Sequence, residues 1–190
     1  MKILYLITKL VTYPGAFMKG FWEHRACRRL KLEVHSRQYL LADWHCGHAL
    51  HDPAATPAKA FLLAFLPYIA QRILGWIFLG ASVGPLLIFG LRGGAETAFF
   101  WLEAVALFLG LSLLCNSFPS WEDARLQWDL FYGKAAEEEA PEPQPKRAGL
   151  PAKILLAPCN AYFLAGAWAE RYGIPAIVAV GLTVVLLIIK

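Results

Sequence analysis

The sequence predicts an all-α integral membrane protein with about four to five transmembrane or membrane-dipping helices and a short strand near residues 32–41. Three observations point there. Of its 190 residues 58% are hydrophobic and only 17% charged, too oily and too poor in charge for an ordinary soluble domain. The apolar residues gather in runs of bilayer length rather than spreading along the chain. The charge is concentrated in short connections, above all Lys19, Arg25, Arg28, Arg29, Lys31 and Arg37. A basic cluster beside apolar runs marks a cytoplasmic face and contact with anionic lipid rather than nucleic acid. The expected location is a bacterial cytoplasmic membrane, with that cluster and the 134–150 linker on the cytoplasmic side.

The elements follow in order. Residues 3–18 are apolar but short for a span, and Lys9 near the middle costs several kcal/mol unless its ammonium snorkels or faces a cavity. Lys9 also argues against a secretory leader, and no small-x-small cleavage site follows it. Pro14-Gly15 breaks one helix or starts the next, and helical periodicity runs on to about Leu32. Residues 32–41 read as a short strand or extended connection. In DWHCGHALHDP, His45, His48 and His51 repeat every third residue, which on a helix places them on one side. The run 60–91 is broken only by Gln71-Arg72, so it divides into a membrane-dipping piece, 60–70, and a charge-free span, 73–91. After Gly93-Gly94 a second span, 95–114, carries one acid, Glu103.

Residues 134–149 are charged, Pro-rich and without bulky apolar side chains, so the 134–150 stretch reads as a solvated, disordered linker. It separates a core, 1–133, from a C-terminal helical hairpin, 151–190. In that hairpin Ala157, Ala161, Ala165 and Ala169 form a strict i,i+4 stripe on which another helix can pack closely. Cys27, Cys46, Cys115 and Cys159 show no CxxC or paired spacing and read as free thiols.

Several residues carry chemistry. On a helix, Glu23, His24 and Cys27 approach one face. Ser120-x-x-Asp123 has the spacing of a capping box. A carboxylate within a span, Glu103, marks function by default, unless it pairs with Arg72 or a histidine, or stays protonated. There is no Gly-rich phosphate loop, Ser/His/Asp arrangement or dinucleotide fingerprint.

Two stretches resemble the membrane-embedded zincin-like metallopeptidases of the site-2-protease type. Pro14-Gly15 precedes Gly20-Phe21-Trp22-Glu23-His24, and Ser117-Phe118-Pro119-Ser120-Trp121-Glu122-Asp123 follows a span. His24 stands at the second histidine of that family's motif, but Gly20 holds the first histidine's position and Phe21 that of the general-base glutamate. The resemblance therefore implies a zincin-like scaffold with a degenerate catalytic motif and lost peptidase activity. No cofactor is expected. Zinc is admitted only through substitute ligands, His24 and Asp123 with His45, His48, His51, Cys46 or Glu23, where Glu23 would be the catalytic carboxylate.

Three functions from different classes follow: a non-catalytic protein that binds a protein partner or lipid, an active intramembrane metal-dependent peptidase with substitute ligands, and a small subunit of a transporter or other membrane complex. The expected partners are the lipid bilayer, anionic lipid at the basic cluster, and a protein partner or second copy at the alanine stripe. Nucleic acid is not expected.

Overall fold

The computed structural model describes residues 2–38, 47–89, 98–133 and 147–188, and the side chains of 5–36, 47–84, 98–133 and 147–181. Among these the chain order is α1 (Lys2–Val11), α2 (Tyr13–Leu30), β1 (Val34–Gln38), β2 (His48–His51), α3 (Pro57–Phe89), α4 (Ala98–Cys115), α5 (Trp121–Tyr132), α6 (Leu150–Arg171) and α7 (Ile174–Ile188). Thr12 separates α1 from α2, and Pro14 sits in the first turn of α2, where its missing N–H has no helical partner to lose. Lys31, at φ 57°, closes α2 in the left-handed conformation and donates its N–H back to the last carbonyls.

Gln71-Arg72 does not divide the third helix. The 33 residues of α3 are continuous, and both polar side chains find tertiary contacts, although Gln71 Oε1 and Arg72 Nε have no hydrogen-bond partner among the described residues. Gln71 is fully buried and its Nε2 donates to the Gly15 carbonyl at 2.8 Å and the Asn116 carbonyl at 3.3 Å. The Arg72 guanidinium lies 5.2 Å from the Tyr68 ring and 5.3 Å from that of Phe118. At 1.5 Å per residue α3 is about 50 Å long, well beyond a hydrocarbon core of ~30 Å.

Small residues set the helix crossings. A Cβ on Gly15 would stand 1.9 Å from the Ser112 carbonyl oxygen, and one on Gly110 2.8 Å from the Leu79 nitrogen. These contacts bring α2 onto α4 and α3 onto α4 at backbone distance, as in lipid-embedded bundles. A third, Gly166, faces the Phe118 ring, which a Cβ there would meet at 2.0 Å. Apolar packing fills between them. Ala26, Cys27 and Leu63 join α2 to α3, while Ala64, Phe118 and Phe163 join α3, α6 and the α4–α5 connection.

A strand does form within 32–41, and β1 pairs antiparallel with β2, Val34 opposite His51 and Gln38 opposite His48, with an irregularity between Val34 and Ser36. His48 and His51 therefore lie on a strand, not on the helix that their spacing suggests.

Among the described residues three helices are long and apolar enough to cross a membrane: Pro57–Gly84, Ala98–Cys115 and Leu150–Arg171. With 10 residues α1 reaches only about 15 Å, too short to cross. Large apolar side chains face outward along these helices, Leu155 at 77% and Trp101 at 62% exposure among them. So broad an apolar surface is unlike that of a soluble monomer.

Candidate functional site

The side chains with chemistry converge where α1, α2, β2, the α4–α5 connection and the end of α6 meet. Lys19 and Glu23 are i,i+4 on α2 and share its inward face, both buried. Glu23 meets β2. His48 Nδ1 lies 2.9 Å from Oε1 and 3.1 Å from Oε2, and the Ala49 N–H donates to Oε2 at 3.1 Å. Burial pushes the Glu23 carboxyl up to about 8, against the opposing pull of the Lys19 charge. Burial also holds His48 well below its ordinary value, helped by Lys19 and Lys9. Burial thus opposes charge on both members of the pair.

A second carboxylate–imidazole pair forms beside it. His51 Nδ1 donates to the Asp52 carbonyl at 2.7 Å, which turns Nε2 toward Asp123 Oδ1 at 3.5 Å. Ser120 caps α5: its Oγ accepts the Asp123 N–H at 3.0 Å and donates to Asp123 Oδ2 at 2.7 Å. Burial disfavours the charge on both groups, but the contact outweighs it. The imidazole rises to about 9, and His51 and Ser120 together hold Asp123 below the usual carboxylate range. This pair is ionic at neutral pH.

The third assembly is a buried triad. Glu170 Oε1 accepts from Lys9 Nζ at 2.6 Å and from Lys19 Nζ at 2.7 Å, while Oε2 accepts the Phe118 N–H at 3.1 Å. Lys9 also donates to Asn116 Oδ1 at 2.7 Å. Asn116 Nδ2 in turn donates to Thr12 Oγ1 at 2.8 Å and to the Ser112 carbonyl at 2.9 Å. The two ammonium-bearing side chains are 2% and 1% exposed, so desolvation is offset only because every charge has a close partner. A cavity of about 330 Å³ opens beside the triad, with Lys19, His48, Ser120, Trp121, Glu170 and Arg171 in its wall.

Of the residues singled out in sequence, Glu23, His48, His51 and Asp123 are brought into this neighbourhood. His24 is half-buried on α2. His45 and Cys46 lie outside the described residues, as does most of the 134–150 linker. Glu103 lies elsewhere, half-buried on α4, its Oε1 without a hydrogen-bond partner among the described residues. Arg72 is not its partner: Nη2 donates to the Tyr162 hydroxyl at 3.2 Å, at the other end of the α3–α4 contact. In the alanine stripe Ala161 and Ala165 face outward and Ala157 and Ala169 are half-buried. The inward face of α6 is instead Asn160, Phe163, Gly166, Ala167 and Glu170. Cys27, Cys115 and Cys159 are free. Burial pushes the Cys27 thiol up to about 12, so it is inert.

Sequence reasoning missed the triad. Its signal was a lysine inside an apolar run, Lys9, but no local pattern names an acid 161 positions away. Among the described residues no group of three or more His, Cys, Asp or Glu side chains is arranged to hold a metal ion. Among the described residues each carboxylate that substitute ligation would use faces an imidazole, Glu23 that of His48 and Asp123 that of His51. Compared with protein-family models, with curated proteins and with solved structures, the chain matches none of them.

Proposed function

We propose that this chain is an integral membrane protein with a zincin-like scaffold and a degenerate catalytic motif, which acts by binding lipid or a protein partner rather than by hydrolysis. One observation carries the reading: both carboxylates near the family-like stretches close on histidines, Glu23 on His48 and Asp123 on His51. A carboxyl whose burial favours its protonated form, as at Glu23, is poorly placed to accept a proton from attacking water. Gly20 and Phe21, at the positions of the missing ligand and base, supply neither.

A metal-dependent hydrolase with substitute ligands is the second reading. It draws on the nearness of Glu23, His48, His51 and Asp123, and it requires both imidazoles to turn away from their carboxylates. Thermal unfolding of the full chain in detergent separates the two. Binding to the folded state alone raises the midpoint with free metal concentration. The non-catalytic reading expects the same midpoint with micromolar zinc, with chelator and with neither. A zinc-dependent rise that His51→Ala abolishes would replace it by the second.

A further inference from the structure

Arg72 is a fixed charge on an apolar face. Ile69, Ile73, Trp76 and Ile77 surround it on the outward side of α3, between 37% and 59% exposed, and Ile69, Arg72 and Trp76 fall on one face by helical spacing. Its contacts are aromatic. Nη2 donates to the Tyr162 hydroxyl at 3.2 Å, and the guanidinium lies 5.2 Å from the Tyr68 ring and 5.3 Å from that of Phe118. Among the described residues no carboxylate pairs with Arg72, and its buried Nε has no acceptor. An arginine does not shed its charge, and it carries five N–H donors in a rigid fork.

The end of α4 fixes the depth of this charge. A Cβ on Gly110 would stand 3.1 Å from the Gly75 carbonyl oxygen, and one on Gly75 2.7 Å from the Leu114 side chain. Gln71, the neighbour of Arg72, reaches the Asn116 carbonyl, one residue past the end of α4. The paired part of α3 and α4 thus begins just beyond Arg72. From there α3 runs about 26 Å to Phe89, and α4 is about 27 Å long. Each length is close to a hydrocarbon core of ~30 Å. With this pair in the core, Arg72, Tyr68 and Tyr162 lie at the headgroup layer, where arginine and tyrosine place their polar ends.

We infer that Arg72 and Tyr162 bind the phosphate of a membrane phospholipid, whose acyl chains run along Ile73, Trp76 and Ile77. The guanidinium fork matches two phosphate oxygens. When the Tyr68 hydroxyl donates to that of Tyr162 across 3.1 Å, the Tyr162 O–H is free to turn outward as a further donor, from a side chain 46% exposed. A soluble anion would satisfy the charge and leave the apolar face above it uncovered, whereas a phospholipid covers both. This rests on the lipid-binding form of the function proposed above and names its ligand and site.

The test uses the full-length chain in mild detergent, incubated with phosphatidylcholine or with monogalactosyldiacylglycerol of the same acyl chains, which has no phosphate. Retained lipid is counted by native mass spectrometry. Both lipids are uncharged overall, so the net charge of +4 favours neither. Phosphatidylcholine should be retained roughly ten-fold over the glycolipid, the scale of one charge-assisted contact. Arg72→Gln should remove that preference, and Tyr162→Phe, which keeps the ring, should reduce it about three-fold. Arg125→Gln, on the exposed side of α5, should leave it intact. Every variant is checked for a monodisperse particle, and Tyr162→Phe carries the result if Arg72→Gln does not fold. Equal retention of the two lipids overturns the site, as does a preference that survives undiminished in Arg72→Gln or Tyr162→Phe. Loss of the preference in Arg125→Gln would overturn it in favour of a general charge effect. Displacement of phosphatidylcholine by millimolar inorganic phosphate would overturn it in favour of a bare anion site. None of these outcomes touches the non-catalytic reading, which fails instead on bound zinc.

Discussion

At the scale of residues, Glu170 is the most consequential side chain. It compensates two buried ammonium groups, Lys9 and Lys19. Glu170→Ala leaves both unpaired and is expected to cost about 3–5 kcal/mol or to prevent folding. Lys9→Met keeps the Lys19–Glu170 contact and should cost much less. Midpoints of thermal unfolding in detergent rank the two variants. The neighbouring acid and imidazole titrate together. Glu23 in the folded chain binds its proton up to about pH 8, and His51 up to about pH 9. Both values lie above the ordinary ones, so the folded state holds more protons and stability falls as pH rises. The Glu23 part is lost from about pH 4.5 to 8 and the His51 part from about pH 6.5 to 9, so the steepest decline is expected between pH 6.5 and 8. His48 is depressed instead and acts in the opposite sense, adding stability as pH rises toward 6.5. Glu23→Gln should flatten the decline, measured as unfolding midpoint against pH, and leave the part above pH 8.

At the scale of elements, close approaches between backbones decide which substitutions are tolerated. Gly15→Ala drives a methyl into the Ser112 carbonyl, a fixed backbone atom, and should cost about 1–3 kcal/mol or more. Gly80→Ala, on the open side of α3 with nothing within 4 Å, should gain up to about 1 kcal/mol from helix propensity. Unfolding midpoints of the two variants should move in opposite directions. Local features were the legible ones. The helix start at Pro14 and the Ser120–Asp123 cap are short-range patterns, and both are in the structure, with the break itself falling at Thr12. Where a distant partner decides, reading the chain alone failed. Gln71-Arg72 looked like an interruption because Gly15, Asn116 and Tyr162 are far away in sequence. His48 and His51 looked helical because their strand exists only by pairing with β1.

At the scale of the whole molecule, apolar faces turn outward along the long helices while Lys9, Lys19 and Glu170 are buried between them. Composition alone foretold the outward half, since long apolar runs with few charges have nowhere else to go. The inward half was not foretold: Lys9, Lys19 and Glu170 come from three helices that no periodicity relates. An alkaline carbonate wash of membranes should leave the chain in the pellet, as expected for helices held by lipid contact. Release into the supernatant would contradict that reading.

Imidazoles face the carboxylates near the family-like stretches, His48 at Glu23 and His51 at Asp123, and the proposed function places no metal there. Elemental analysis of the full chain, purified in detergent without chelator, measures this directly. The expected result is zinc far below one equivalent, unchanged in Asp123→Ala and His48→Ala. A stoichiometric ion lost in either variant would contradict the claim.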